Sequence, residues 1–292
     1  QRHSRVTRLG EGVDTDGRLK PAAIDRVCAA LADYARLIAA DRAGLATAVL
    51  TSAVRDAVNG PEFVALVADR YDLDARLIAG DQEARLTFLG ATSDRDPDRR
   101  APTLVIDVGG GSTELIRGRG RDAAFHVSLQ AGVVRQTERH LPGDPPTADQ
   151  LRALRADVRA LIEGHVPPVE RRLPRRAVAV AVAGTATSLA AIDQGLQPYD
   201  PARVHGYRLD LTTCRLLLAR LAGLTLTELR SVRGLHPDRA PTIVAGVAIL
   251  IEVLEAFGLP GFETSEHDIL RGVALDRAGF GPAPALDRPA VH

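Results

Sequence analysis

The chain of 292 residues has no methionine, two cysteines and Lys20 as its single lysine. The lack of methionine extends to position 1, so the sequence reads as a fragment or trimmed form of a longer protein. Cys28 and Cys214 each sit inside an apolar helical pattern, which excludes a disulfide framework and argues against a zinc site. The eight histidines show no H-x-x-x-H spacing, so a zinc enzyme is disfavoured as well. The longest apolar run, Ile243 to Phe257, is broken by Glu252 and Glu255 and falls short of the ~20 residues a membrane span needs. It reads as a buried helix. No charged start with an apolar stretch and a cleavage site is visible, so the cytoplasm is the expected location and no membrane partner is expected. Formal net charge is zero, which removes the bulk electrostatic case for nucleic acid. Nearly all positive charge is guanidinium, a group that grips phosphate oxygens in pairs, although codon bias in a GC-rich genome is the simpler source of it.

Apolar periodicity orders the rest. Arg5–Val13 reads as a strand, and Pro21 opens a helix with Ile24, Val27, Leu31, Tyr34 and Ile38 on one face. Ala46–Ala53 reads as a buried strand, "PEFVALVADRY" as a helix, "ARLIAG" as a strand, and "DQEARLTFLGA" as a helix with Asp81 at its N-cap. A polar, proline-containing connector follows over Thr92–Pro102. The pattern then restarts: "TLVIDV", "TELIRG" and "AAFHVSLQ" read as three strands joined by tight turns, followed by helices from Val133 and over Ala148–Ile162. Strand Ala177–Gly184, helices over "TATSLAAID", Thr212–Ala222 and Ala240–Phe257, strand "FETS" and a helix from His267 complete it. The proline-rich tail over 281–292 reads as loosely attached.

The halves match. "TSAVRDA" corresponds to "AGTATSLAA", and "IAGDQEARL" to "ETSEHDILRG", whereas the first half lacks the opening hairpin of the second. This predicts two similar α/β domains, over 1–100 and 101–280, facing each other across a cleft on which strand ends converge.

Five groups of residues stand at those strand ends. Gly109, Gly110 and Gly111 permit positive φ and close approach of a ligand to backbone amides, with Ser112 adding a hydroxyl. Asp107, ending the strand before them, is placed to hold a magnesium ion or its water, with Glu114 near enough to assist. The plain alternative is a glycine-rich hairpin with an acid for solubility. Thr51, Ser52 and Arg55 open a helix, a ready anion site, though helix capping explains them equally well. Gly184 and Thr185 repeat that design without an arginine, where capping is the simpler role. Glu83 lies in a helix first turn, where the dipole favours its charged form. Most such glutamates are only dipole-matched surface.

Taken together, "TSAVRDAVN", "IAGDQEARLTFLG", "LVIDVGGGSTELI", "AGTATSLAA" and "SEHDILRGVAL" resemble the exopolyphosphatase and guanosine pentaphosphate phosphatase family, in order and over nearly the whole chain. The resemblance implies two actin/hexokinase-like (ribonuclease H-like) domains. It implies Glu83 as the catalytic base, Arg55 on the terminal phosphate, Gly109 to Ser112 as the second phosphate loop, and Asp107 with Glu114 tied to Mg2+ (or Mn2+) and catalysis. Asp81 and Gln82 depart from the more acidic run usual before the glutamate, which implies tuned metal or chain-length preference. Family members open with a loop reading Asp-x-Gly-Ser/Thr-Asn-Ser. This sequence lacks it, implying a first domain without its N-terminal hairpin. The implied substrate is inorganic polyphosphate, favoured by an expected stop after two core domains; guanosine pentaphosphate, in the stringent response, is the alternative. A non-catalytic alarmone- or nucleotide-binding regulator is a further alternative, and a homodimer is expected.

Overall fold

The structure, a computed structural model, describes residue 3, residues 5–96 and residues 101–280. The tail over 281–292 and part of the expected connector lie outside the described residues. Helix α1 (Pro21–Ala40) opens on the proline, whose fixed φ suits the first helical position and whose missing N–H has no partner to lose there. Strand β1 (Thr47–Leu50), the single turn α2 (Ser52–Arg55), helix α3 (Gly60–Tyr71) and strand β2 (Asp74–Leu77) follow. β1 and β2 pair in parallel, Thr47 opposite Asp74, as a two-stranded sheet. Leu50, Val54, Phe63 and Val67 form its core, with Ile24, Val27 and Leu31 of α1 packed against them.

Arg5–Val13, expected as a strand, turns instead. Arg8 and Gly12 take φ of 50° and 74°, and turns close from Glu11 N to Arg8 O and from Val13 N to Gly10 O. Arg26 donates to the carbonyls of Thr7 and Arg8, acceptors a sheet ladder would need. Leu9 still packs on the small core, so its side chain follows the apolar pattern although its backbone does not.

Helix α4 (Gly80–Ala91) comes next, and Asp81 does not cap it. Ala79 occupies the N-cap position because Gly80 already enters the helix; Asp81 lies in the first turn, 2.9 Å from His126 Nε2. Strands β3 (Thr103–Val108), β4 (Thr113–Arg119) and β5 (Asp122–Leu129) make an antiparallel meander. After helices α5 (Val133–His140) and α6 (Ala148–His165), strand β6 (Val178–Val182) joins β3 in parallel and leads into α7 (Ala183–Asp193). Strand β7 (Arg208–Asp210), α8 (Leu211–Ala222), α9 (Ile243–Ala256), β8 (Gly261–Thr264) and α10 (Ile269–Arg277) complete the chain. The sheet order is β5-β4-β3-β6-β8-β7. β7 escapes a reading by periodicity because only Leu209 of its three residues is buried.

One face of this sheet carries the main core, in which Leu104, Ile106 and Leu115 meet Leu154, Leu189 and Leu250. Glu252, buried within α9, is held by Arg155 and Arg159, the pairing a buried charge requires. The other face is covered by α4, whose Ala84, Phe88 and Ala91 pack on Val105, Ile116 and Val180. α4 thus precedes the boundary at residue 100 and packs on the sheet that follows it. It also crosses α10 so closely that a Cβ on Gly90 would collide with the Asp268 carbonyl, and one on Gly272 with the Leu86 carbonyl. These are the two helices that the comparison of halves pairs. No described helix is long and apolar enough to cross a membrane.

Candidate active site

Residues that follow β1, β2, β3 and β6 line one cavity of about 590 Å³: Thr51 and Ser52, Glu83, the 109–112 loop, and Gly184 with Thr185. Strand ends of an α/β sheet converge on a crevice for this reason of topology. Asp107 and Glu114 line it from the paired ends of β3 and β4, where they stand directly opposite each other.

The glycine loop is held by its carbonyls. Gly109 N donates to Ser112 O at 3.0 Å, while the carbonyls of Gly109, Gly110 and Gly111 accept from Val133, Val134 and Gly132 at the start of α5. Arg135 Nε adds a bond of 2.8 Å to Gly111 O. The amides of Gly110 and Gly111 meet no protein acceptor among the described residues. None of the three glycines takes the positive φ that the sequence permits. A Cβ would come no nearer than 3.7 Å to protein at Gly110 and 3.9 Å at Gly111, so what these residues keep clear is the cavity.

Ser52 Oγ lies 3.1 Å from Ser112 Oγ and joins the two corners across the cavity. Thr51 caps nothing with its side chain; its hydroxyl helps to hold Glu83 down against burial. Arg55 does not line the cavity. Its Nη1 donates to the Ile78 carbonyl at 3.0 Å and to Glu83 Oε2 at 3.1 Å, so it stands behind the glutamate. At the α7 corner Ala183 takes φ 63°, a conformation an alanine rarely holds, and the Thr187 hydroxyl bonds the Ala183 carbonyl at 3.1 Å. The Arg239 guanidinium packs on Gly184 where any Cβ would overlap it, and it lines the cavity too. Sequence reasoning missed Arg239, which sits in the 3-10 turn Pro237–Thr242, far in sequence from the Gly184 corner it packs on.

Three carboxyl groups in this cavity resist ionisation. Burial pushes Glu83 up, opposed by the hydrogen bond and charge of Arg55 and by the Thr51 hydroxyl. Burial pushes Glu114 up to about 7, with the Ser112 hydrogen bond opposing and the Glu83 charge adding. Asp107, partly accessible through the cavity, is raised well above its ordinary range by burial and then by the charges of Glu114, Asp268 and Glu83. Its carboxylate accepts no hydrogen bond from a described residue. Asp107 and Glu114 together offer an all-oxygen, net-negative donor set, which suits a hard divalent cation.

A second cluster lies outside the cavity. Asp94, His205 and His267 bring their ligand-type atoms within 4.8 Å of one another, from segments too far apart for any sequence spacing to reveal. The Glu266 amide donates to His205 Nδ1 at 3.1 Å, which leaves the ring proton on Nε2, facing Asp94 at 3.2 Å. Arg271 takes the other Asp94 oxygen at 3.0 Å. This is a hydrogen-bonded clamp from the end of α4 to the start of α10.

The Ppx/GppA phosphatase family model matches residues 1–279. Exopolyphosphatase 2 of Mycobacterium tuberculosis is 39% identical over 288 residues, covering 95% of this chain and 89% of that protein. Exopolyphosphatase 1 of Mycobacterium bovis is 29% identical, covering 98% and 83%. A crystal structure of an exopolyphosphatase-like protein aligns with a TM-score of 0.84 at 34% identity, covering 94% of this chain and 87% of the other. The Aquifex aeolicus member of the Ppx/GppA family aligns with a TM-score of 0.76 at 29% identity, covering 94% and 87%. With the actin/hexokinase-like architecture in place and a match that spans nearly every described residue, the chain belongs to the Ppx/GppA phosphatase family.

Proposed function

We propose that this chain shortens inorganic polyphosphate from its end, releasing orthophosphate. The observation that carries the reading is the presence, in one cavity, of the Glu83 carboxylate and the amides of Gly110 and Gly111, which have no acceptor among the described residues. The names of the mycobacterial relatives support it.

The terminal phosphate rests on the loop amides, with the Ser52 and Ser112 hydroxyls as further donors to its oxygens. Asp107 and Glu114 are the residues to hold Mg2+ or Mn2+, which when bound neutralises charge on the phosphoryl oxygens. Glu83, aimed by Arg55 and Thr51, accepts a proton from water as the water oxygen bonds to the terminal phosphorus. The bridging P–O bond breaks, and the shortened chain leaves with the bridging oxygen. Burial makes Glu83 a stronger base than an exposed carboxylate. Arg239 at the Gly184 corner brings a positive charge to the same cavity.

Turnover in 18O-labelled water tests this. One labelled oxygen is expected in each released orthophosphate and none at the new chain end; label at the chain end, or release of pyrophosphate, contradicts it. Guanosine pentaphosphate offers the same kind of terminal anhydride to the same groups, and competition between the two substrates assigns preference.

A further inference from the structure

The β4–β5 ladder sets Ser128 directly opposite Glu114. Ser128 Oγ donates to Glu114 Oε1 at 3.0 Å, and Ser112 Oγ donates to the same oxygen at 2.6 Å. Oε2 accepts no hydrogen bond from a described residue. The two serines are not equivalent. Ser112 belongs to the glycine loop and lines the cavity, whereas Ser128 lies on β5 outside the lining.

A hydroxyl has one proton to give. Ser112 gives its proton to Glu114 while accepting from Ser52 at 3.1 Å. A phosphoryl oxygen arriving at the loop competes for that proton, and Glu114 then loses its nearer donor. Ser128 is outside that competition. We propose that Ser128 is a positioning residue for the phosphatase reaction: it keeps Oε1 of Glu114 bound throughout turnover, so that Oε2 remains the oxygen offered to the divalent cation. Groups that orient a metal's carboxylate ligands control affinity for the metal without touching it. The proposal rests on the reading of Glu114 as a cation ligand.

The test compares Ser128→Ala, Ser128→Thr and Glu114→Gln in the full chain. Ser128 is exposed on its strand, so alanine leaves the fold intact, and threonine keeps the hydroxyl on a residue that strands favour. Mn2+ affinity is measured by calorimetry without substrate, and kcat and KM for polyphosphate at saturating Mn2+. Ser128→Ala is expected to bind Mn2+ about tenfold more weakly and to lose kcat with KM unchanged, and Ser128→Thr to restore both. Wild-type Mn2+ affinity and kcat in Ser128→Ala, beside an inactive Glu114→Gln, overturn the proposal and leave the reading of Glu114 standing. A Ser128→Thr protein as weak as Ser128→Ala also overturns it. Wild-type Mn2+ binding and turnover in Glu114→Gln remove the reading of Glu114, and the proposal with it.

Discussion

The Arg55 guanidinium reaches both Glu83 Oε2, at 3.1 Å, and the Ile78 carbonyl, at 3.0 Å, and so ties the α2 turn to the corner between β2 and α4. Its hydrogen bond and charge hold Glu83 down against the upward push of burial.

Removing that guanidinium lets burial dominate. In Arg55→Ala the acid limb of the kcat/KM profile moves to higher pH, and neutral-pH activity falls by about 100-fold. Arg55→Lys keeps the charge on a shorter, more strongly hydrated ammonium and falls between. An unshifted acid limb in Arg55→Ala detaches Arg55 from Glu83 in the reaction.

At Gly110 the missing side chain leaves room in the cavity and none is needed by the packing. Gly110→Ala meets no protein atom closer than 3.7 Å, so its stability is expected within about 0.5 kcal/mol of wild type. The added methyl displaces the phosphate from the amides, and activity falls by about 100-fold. A fully active Gly110→Ala shows that the substrate does not approach there.

Without divalent metal, the acids of the cavity make stability depend on pH. Glu114 is raised from 4.5 to about 7, and Asp107 and Glu83 are raised with it. Folded chains therefore hold protons that unfolded chains release. The stabilising contribution of Glu114 is complete below its unfolded value of 4.5 and is lost as pH rises through about 7, and those of Asp107 and Glu83 are lost in the same direction. Thermal melts of metal-free protein are expected to fall between those values, with Mg2+ restoring more at pH 8 than at pH 5. A Mg2+ effect that is equal at both pH values contradicts a carboxylate site.

At the α4–α10 crossing the glycines are structural. Gly90→Ala or Gly272→Ala forces a methyl into a facing carbonyl, at a cost of roughly 1–3 kcal/mol that outweighs the helix preference for alanine. Chemical denaturation measures it, and a variant as stable as wild type shows that the helices part easily.

Strands and helices rich in local signal were legible: the meander from Thr103 to Leu129 and the buried α9 follow directly from apolar period. Arg5–Val13 was not, because Arg8 and Gly12 turn the backbone while Leu9 keeps the apolar pattern. Asp81 looked like a cap because helix start depends on whether Gly80 joins the helix, which its side chain cannot announce. In the cavity, the 109–112 loop carries its own pattern, whereas Glu83 is an ordinary first-turn glutamate that only the family resemblance marks out. Arg239 and the clamp of Asp94, His205 and His267 exist only through contacts between remote segments, and no local window holds them.

Single-turnover orthophosphate release from polyphosphate of defined length tests most directly whether Glu83 activates the attacking water. Glu83→Gln with Mg2+ is expected to bind the polymer as wild type does and to release phosphate at least about 100-fold more slowly. Equal release rates in the two proteins would contradict the account.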